Sequence, residues 1–295
     1  MKNKVSVIIP FYNNKEWLEE ALESVFNQTY RNIEVVLVND GSREDISDIL
    51  KKYESKIIYL KQDNQGPGAA RNNGVRKATG YYVAFEDSDD VWLPEKLEKQ
   101  VALMESSGAA WCHTGFYNWW PKNNKKIRVN SSRDYDDIYL QRHVSTKIAT
   151  PSVMIKRDVL ASGSFMFPED IRNGEDGSLY TELSKYYPIA LVQEPLVKVR
   201  MRGTNSKNHA YERFILNAKG YESIIASGEK FPFMVMLIDY LYYIYTKVII
   251  FKFGIRNELF IKFCWTIPYV MERAYVRYLG WRLNKDERYI IREVK

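Results

Sequence analysis

Cysteine is scarce in this chain of 295 residues, which contains only Cys112 and Cys264. The two cysteines lie far apart, with no Cys-x-x-Cys pair and no Cys/His cluster around either. The sequence therefore predicts neither a disulfide framework nor a zinc site, and we expect a reducing compartment.

Long hydrophobic runs are also few. The apolar run Val5–Ile9 is too short for a signal peptide and ends at Pro10, so we expect a buried strand. The segment Phe231–Phe251 is long enough to suggest a membrane span. However, one proline, Asp239, Lys247 and several tyrosines interrupt it, which favours a buried or interfacial helix.

The composition is that of a folded globular protein, with 45% hydrophobic and 27% charged residues. The length predicts one large domain or two modest ones. A net charge of +6 permits nucleic acid, anionic lipid or a phosphorylated substrate as partner, and charge alone does not choose among them.

The first hundred residues alternate between short β-branched runs and segments with helical spacing of apolar residues. This alternation predicts parallel strands covered by helices on both faces, with Asn14 capping the first helix. The predicted strands are Val5–Pro10, Ile33–Val38, Lys56–Leu60 and Tyr81–Phe85, and the predicted helices are Asn14–Phe26, Ser47–Tyr53 and Gly68–Lys77.

Further elements are expected downstream, before the composition changes near Gly203. They are a helix over Pro94–Met104, a strand over Ala109–Trp120, a loop over Pro121–Asp137, strands over Ile148–Ile155 and Ala190–Met201, and a helix opened by Asn173–Asp176. Beyond Gly203 come helices rich in Phe, Tyr, Ile, Lys and Arg. We therefore expect a catalytic α/β domain over residues 1–205 and a helical, basic and aromatic region over residues 206–295.

An acidic cluster, Asp87-Ser88-Asp89-Asp90, follows the fourth predicted strand. In open α/β sheets, ligands bind at the carboxyl ends of the strands. Closely spaced carboxylates suit Mg²⁺ or Mn²⁺, and such an ion would hold a diphosphate. A solvated acidic turn before a helix explains the tetrapeptide equally well.

Two glycine-containing turns accompany this cluster. Asp40 ends the second strand and can accept a hydrogen bond from a base N–H, although Asp-Gly-Ser is more often only a turn. Arg71 lies in the first turn of a helix that opens with Gly66-Pro67-Gly68. A cation is unfavourable there, which suggests an anionic partner, although an ordinary surface arginine is the commoner case.

Taken together, these segments resemble the family 2 glycosyltransferases. The resemblance covers about residues 5 to 100 and is carried by Val7–Asn13, Ser24–Tyr30, Val36–Ser42, Gly66–Asn72 and Asp87–Asp90 with Trp92 and Pro94. It implies a GT-A fold, which is a mixed sheet flanked by helices. It also implies a UDP-sugar donor, a divalent metal and transfer of the sugar with inversion.

The resemblance also implies roles for individual residues. Pro10 and Tyr12 would line the uracil pocket, Asp40 would bind the base N–H, and Arg71 would help to hold the nucleotide. Asp87 and Ser88 would contact the donor, Asp87 on its ribose side. Asp89 of this DxD motif would bind the metal, and Asp90 would be an additional contact to the donor sugar or the metal shell.

Inverting transfer also needs a base to take the proton from the attacking hydroxyl. Asp176 is the candidate, because the family has an acidic pair in this part of the chain whose Asp is the expected base. Glu169 and Asp170 compete with it in sequence. Glu175 and Asp176 also suit a helix N-terminus without any catalytic role.

One departure concerns a histidine that completes the metal shell in many relatives. Arg202 stands at that position here; it cannot ligate a metal, but it can pair with the diphosphate. The third metal ligand is therefore open. His113, His143 and His209 are scattered, and we expect surface or acceptor-cleft residues rather than ligands.

The C-terminal region interleaves basic and aromatic residues, which suits the surface of an anionic bilayer; a helical subdomain packed on the core is the alternative. We therefore expect a cytoplasmic protein, peripheral on the inner face of the membrane if the first reading holds. The expected acceptor is a hydroxyl of a glycan or a polyprenyl-diphosphate-linked saccharide in surface-polysaccharide biosynthesis.

The sequence supports other functions less well. A nucleotidyltransferase acting on a sugar phosphate shares the sheet and the acidic ligands, but it usually opens with a Gly-rich basic loop that Pro10–Asn14 does not supply. The acidic cluster argues against nucleic acid as a partner. Intact Asp40, Asp87, Asp89 and Asp176 argue against an inactive scaffold.

Overall fold

The computed structural model describes residues 3–129, 138, 147–161, 163, 165–202, 221–222, 225–226, 228, 233–254 and short stretches between 260 and 275. Two compact units divide the chain. One is Met1–Ile138 with Lys147–Arg202, and the other is Tyr139–Thr146 with Gly203–Lys295. The domain boundary expected after residue 205 stays a prediction, because residues 203–220 lie outside the described part.

The first unit is built on one mixed sheet. Its strands are β1 (Val5–Phe11), β2 (Ile33–Asp40), β3 (Ile57–Gln62), β4 (Tyr82–Phe85), β5 (Val91–Trp92), β6 (Trp111–Trp120), β7 (Lys125–Val129), β8 (Val153–Lys156) and β9 (Ile189–Arg200). Their order is β3-β2-β1-β4-β8-β6-β9-β5, and β7 also pairs with β6. The expected mixed sheet is therefore confirmed.

The two halves of the sheet differ in direction. Strands β1 to β4 are mutually parallel, so their carboxyl ends meet at one edge. Strands β5, β7 and β8 pair antiparallel with their neighbours, and β6 runs parallel to β9.

Helices cover both faces of this sheet. In the described part of the first unit they are α1 (Lys15–Phe26), α2 (Ser47–Lys52), α3 (Pro67–Lys77), α4 (Lys96–Ser107), α5 (Arg157–Ala161) and α6 (Glu175–Tyr186). Alternate residues of β2 enter two different hydrophobic clusters, Val35 and Leu37 on one face and Val36 and Val38 on the other. This burial on both faces explains why the strand is a continuous apolar run.

Helix α3 lies unusually close to β1. A Cβ added at Gly74 would come within 2.4 Å of Ile8 Cγ2. The glycine therefore permits the close helix–strand contact that brings the N-terminus of α3 to the carboxyl edge of the sheet.

Three local expectations were wrong, and one strand was missed. Lys125–Val129, expected within a loop, forms β7, and Asn124 in the left-handed region (φ 50°) turns the chain into it. The strand expected from Ile148 starts only at Val153, after a 3₁₀ turn over Thr150–Ser152. The two-residue strand β5 was not expected. His113, expected at the surface or in a cleft, is fully buried on β6.

The expected cap of α1 was also wrong. Asn14 adopts a left-handed conformation (φ 72°) and its side chain forms no capping bond. The carboxylate of Glu44, which follows β2, instead accepts hydrogen bonds from the N–H groups of Asn14 and Lys15 at 2.9 and 2.8 Å. A residue 30 positions away thus supplies the cap.

The described part of the second unit contains helix α7 (Phe233–Tyr245), which continues into a π-helical segment, Thr246–Lys252. Val235, Ile238 and Tyr242 are buried, whereas Phe233 is 75% exposed. Among the described residues, no helix combines the length and the apolar character that a membrane span requires.

Replacing Glu44 with Ala should lower the free energy of unfolding by about 1 kcal/mol, because two N–H groups at the start of α1 lose their acceptor. Urea denaturation measures the change. The exposed Glu54→Ala serves as the control and should leave the midpoint unchanged. Equal midpoints for the two variants would contradict the assignment of Glu44 as the cap.

Candidate active site

The expected site residues of the first half of the chain gather at the carboxyl edge of the parallel strands. Pro10 is the penultimate residue of β1, and Tyr12, just beyond it, is 49% exposed. Asp40 is the last residue of β2. The loop Glu86–Asp90 leaves β4 beside them, because β4 pairs with β1.

Asp40 holds the loop that leads into α3. Its Oδ1 accepts hydrogen bonds from Gln62 Nε2 and Gln65 N, and its Oδ2 accepts one from Gly66 N, each at 2.9 Å. A carboxylate oxygen accepts two hydrogen bonds, so Oδ2 retains capacity for one further donor. The next residue, Gly41, has φ 78°, and a Cβ there would meet Asn64 N at 2.7 Å.

The acidic loop exposes some side chains and buries others. Asp87, Ser88 and Asp89 are partly exposed, whereas Asp90 is buried and accepts a hydrogen bond from Arg200 N at 2.7 Å. The N–H of Asp90 also donates to Asp87 O at 3.0 Å, which closes the turn. Asp90 thus fixes the loop to β9, while the side chains of Asp87 and Asp89 remain accessible.

Electrostatic repulsion is concentrated in this loop. Burial, and next the charge of Asp87, raises the pKa of Asp89. Burial and the charge of Asp90 raise the pKa of Glu86 well above its usual value. Among the described residues, neither carboxyl oxygen of Glu86 has a hydrogen-bond partner. A cation at the loop would lower this repulsion.

Arg71 connects the acidic loop with helix α6. It is 5% exposed, so the alternative of an ordinary surface arginine was wrong. Its Nη2 donates to Asp87 Oδ1 at 2.7 Å and its Nη1 to Glu175 Oε1 at 2.8 Å. The guanidinium also lies 5.3 Å from the ring centroid of Phe167. One buried cation therefore pairs with one carboxylate of the loop and one of α6, and a net negative charge remains on the three groups.

Asp176 lies in the first turn of α6. Gly174, at φ 85°, precedes the helix. Thr150 Oγ1 donates to Asp176 Oδ2 at 3.0 Å, and Gly177 N donates to Oδ1 at 2.6 Å. Because Arg71 holds the neighbouring Glu175 beside Asp87, the first turn of α6, which carries Asp176, is tied to the acidic loop.

The competitors of Asp176 have different surroundings. The Glu169 carboxylate accepts a hydrogen bond from Asn72 Nδ2 at 2.8 Å and pairs with Arg76 at 3.1 Å. The Glu169 side chain is therefore held by two residues of α3. Asp170 is exposed. These contacts favour Asp176.

Two arginines at the end of β9 contact the loop from the other side. Arg202 Nε lies 2.9 Å from Asp89 Oδ2. Arg200 donates from Nε to Asp89 O at 2.6 Å, and it pairs with Glu20. Arg200 was not expected as a site residue. It contacts the loop through its own backbone N–H and through the backbone carbonyl of Asp89, and such backbone contacts produce no recognisable sequence motif.

The donor set fits a hard divalent cation. Among the residues that the structure describes, no group of three or more His, Cys, Asp or Glu side chains could hold a metal. Mg²⁺ and Mn²⁺, however, commonly take one or two protein carboxylates and complete their shell with water and phosphate oxygens. Asp89, with Asp87 beside it, can supply that contribution.

This arrangement defines a class of protein: an α/β protein with carboxylates at the carboxyl edge of its parallel strands, where ligands bind in open α/β sheets. Residues 6–162 match the sequence profile described as Glycosyl transferase family 2. The chain belongs to this family.

Two relatives agree with this assignment. An uncharacterized glycosyltransferase of Rickettsia bellii is 36% identical over 241 residues, which cover 80% of this chain and 35% of the relative. TuaG of Bacillus subtilis, named as a teichuronic acid biosynthesis glycosyltransferase, is 35% identical over 193 residues, 62% of this chain and 73% of TuaG. The chain spans only 33% to 40% of the length of three Rickettsia relatives.

Solved structures share the fold. TarS of S. aureus in complex with UDP-GlcNAc has a TM-score of 0.67 at 18% identity, covering 90% of this chain and 79% of that one. The mannosyltransferase PcManGT of Pyrobaculum calidifontis, in complex with GDP-Man and Mn²⁺, has a TM-score of 0.62 at 16% identity, covering 98% and 82%. The expected GT-A fold is confirmed.

The buried carboxyl of Glu86 predicts a pH dependence of stability. Because the pKa of Glu86 is raised in the folded protein, the folded state keeps a proton that the unfolded state releases as pH increases. The contribution of Glu86 to the free energy of unfolding is therefore largest at low pH. It falls as the pH rises above the usual pKa of a glutamate. Glu86→Gln should reduce the loss of unfolding free energy between about pH 5 and pH 7.

Urea denaturation in EDTA at both pH values tests this prediction. The exposed Glu54→Gln is the control and should retain the pH dependence of the wild type. The Glu86→Gln variant should keep part of the pH dependence of stability. The reason is that the pKa values of three other carboxyl groups are also raised, those of Asp89, Asp90 and Glu175. An unchanged pH dependence in that variant would contradict the prediction.

Proposed function

We propose that this chain is an inverting, metal-dependent glycosyltransferase that uses a UDP-sugar. The acceptor is a hydroxyl of a glycan or of a polyprenyl-diphosphate-linked saccharide in bacterial surface-polysaccharide biosynthesis, and the transferred group is a hexose or an N-acetylhexosamine. The observation that carries the proposal is the Arg71 contact with both Asp87 and Glu175, which brings the acidic loop and Asp176 to one site.

Donor binding uses the edge of the parallel strands. Pro10 and the exposed Tyr12 flank the base. Asp40 Oδ2, which can accept one more hydrogen bond, accepts it from the base N–H. Asp87 and Ser88 meet the ribose and the diphosphate, and Asp89 contributes to binding of Mn²⁺ or Mg²⁺. When bound, that ion stabilises the negative charge that develops on the leaving diphosphate. The structures of TarS in complex with UDP-GlcNAc and of PcManGT in complex with GDP-Man and Mn²⁺ support this assignment.

Arg71 has an indirect role in this proposal. Because Asp87 and Glu175 occupy its two terminal nitrogens, Arg71 holds the nucleotide by fixing Asp87 rather than by pairing with phosphate. Arg202, which is more exposed, supplies the positive charge toward the diphosphate.

Asp176 acts as the base. Hydrogen bonds from Thr150 Oγ1 and Gly177 N fix the orientation of its carboxylate, which then takes the proton of the acceptor hydroxyl as that oxygen attacks the anomeric carbon. The bond between the sugar and the diphosphate breaks in the same step, its electron pair leaves with UDP, and Arg202 offsets part of the charge that develops there. Attack opposite the leaving group inverts the anomeric carbon.

We also propose where the protein acts. Nucleotide sugars are made in the cytoplasm, so we place the protein there, with the basic and aromatic residues 206–295 contacting the inner face of an anionic membrane. Flotation with anionic liposomes tests the contact. A protein that stays in the soluble fraction at low salt contradicts it.

The first test compares UDP release from a panel of UDP-sugars in Mn²⁺, Mg²⁺ or EDTA. Wild type should release UDP slowly from one donor in a metal-dependent reaction, and Asp89→Ala should abolish the release. Asp176→Asn should bind UDP and metal as wild type does but lose about 10²-fold to 10⁴-fold in turnover. Asp170→Asn makes the same chemical change at the competing carboxylate and should retain activity.

Loss of activity in Asp170→Asn with retention in Asp176→Asn would reverse the assignment of the base. A protein that fails to bind UDP in calorimetry, even with metal, would contradict the proposed function itself. Release of pyrophosphate from a nucleoside triphosphate and a sugar phosphate would support the nucleotidyltransferase instead.

The contact between Arg202 and Asp89 predicts competition between a side chain and the metal. Because a cation at Asp89 Oδ2 is repelled by the guanidinium 2.9 Å away, Arg202→Ala should bind Mn²⁺ alone more tightly than wild type does, by about tenfold. The same variant should bind UDP more weakly in the presence of Mn²⁺. Calorimetry measures both affinities, and an unchanged Mn²⁺ affinity would contradict the prediction.

A further inference from the structure

Two rows of cationic and aromatic side chains cross strands β7, β6 and β9. Paired residues share a face of a sheet, and residues two apart along a strand point to the same face. One row is Lys126–Trp119–Arg200 and the other is Arg128–Tyr117–Lys198. Both rows therefore lie on one face, which we call the cationic face.

The inner end of the cationic face touches the candidate active site. Lys198 Nζ lies 5.4 Å and Arg200 Cζ lies 4.6 Å from the ring centroid of Trp119, within the range of cation–π attraction. Arg200 in turn donates to the backbone carbonyl of Asp89. The row that ends at Arg200 thus runs from the acidic loop outward to the edge hairpin.

The outer end of the cationic face carries uncompensated charge. The segment Pro121–Val129 has four basic residues and no acidic one. Lys126 and Arg128 are exposed, and neither forms an ion pair with a described residue; Arg128 Nη2 donates to the carbonyl of Gln193 at 2.9 Å. Burial, and next the charge of Lys126, lowers the pKa of Lys198. An anion bound between these side chains would relieve their repulsion.

We propose that the cationic face binds the acceptor and selects a saccharide that carries negative charges, carboxylate or phosphate. The inference rests on the proposed function, because it gives the acceptor of that reaction its chemical class. Lys126 and Lys198 supply the charge. The half-buried ring of Tyr117 supplies apolar surface of the kind that lines small-molecule sites.

An anionic membrane is the competing occupant of a basic surface, and the side chains of this face do not suit it. Stable attachment to a bilayer needs exposed apolar side chains in addition to positive charge. Trp119 is only 9% exposed. Ile127, which is 46% exposed, alternates with Lys126 and Arg128 and so points to the other face. The cationic face therefore offers charge without apolar groups that insert.

The test uses the full chain and two hexasaccharides of matched length, the anionic hexagalacturonate and the neutral maltohexaose. Titration calorimetry without donor measures their binding to wild type, to Lys126→Glu/Lys198→Glu and to Lys51→Glu/Lys77→Glu. The last variant carries the same charge change on exposed lysines at the ends of α2 and α3. UDP affinity in Mn²⁺ is measured for each protein as a separate report on the donor site.

Wild type should prefer hexagalacturonate, with an affinity that falls as salt is added. Lys126→Glu/Lys198→Glu should weaken that binding by about tenfold or more and leave UDP affinity unchanged, whereas Lys51→Glu/Lys77→Glu should behave as wild type does. Each single reversal should give a smaller loss, so that misfolding of the double variant cannot account for the result.

Equal affinity for the two saccharides, or an equal loss in both double variants, would overturn the inference. Vesicles of phosphatidylglycerol are tested in parallel. If Lys126→Glu/Lys198→Glu loses vesicle binding but retains hexagalacturonate binding, the surface is a membrane contact and the inference fails. Because these titrations contain no donor, failure of UDP-sugar hydrolysis, which would contradict the proposed function, is observed independently.

Discussion

The buried guanidinium of Arg71 is the interaction on which the rest of the candidate site depends. Removing one partner of a buried ion pair typically costs about 3–5 kcal/mol, because the other charge remains buried and uncompensated. Arg71 has two such partners, Asp87 on the acidic loop and Glu175 on α6. The acidic loop and the helix that carries Asp176 are therefore held together by one side chain.

The close packing around Arg71 explains several glycines. A Cβ at Gly68 would meet the carbonyl oxygen of Pro168 at 2.7 Å, and one at Gly74 would meet Ile8. Both glycines let α3 approach its neighbours closely enough for Arg71 to reach two elements. Asn72 reinforces this approach, since its side chain exchanges hydrogen bonds with both backbone groups of Phe167.

Much of this arrangement could be predicted from the sequence. The parallel strands are mostly continuous apolar runs, and the carboxylates at or just beyond their ends, such as Asp40 and Asp89, belong to local motifs. Because the strands are parallel, these motifs meet at one edge of the sheet. Contacts between distant segments could not be predicted in this way. The cap from Glu44 and the contacts of Arg200 depend on backbone groups, which leave no residue pattern. Strand β7 was missed because its alternation of basic and apolar residues covers only Lys126–Val129 and lies within a long polar, charged segment.

The mixed sheet also has a consequence for how such an enzyme diversifies. The residues expected at the nucleotide end follow the parallel strands β1, β2 and β4, whereas β7, among the described strands, pairs with β6 in the other half of the sheet. Substitutions at the exposed residues of β7, such as Lys126 and Arg128, can therefore accumulate without disturbing Asp40 or the loop after β4. Lineages that share one activated sugar could in this way drift toward different polymers while inheriting the same nucleotide pocket.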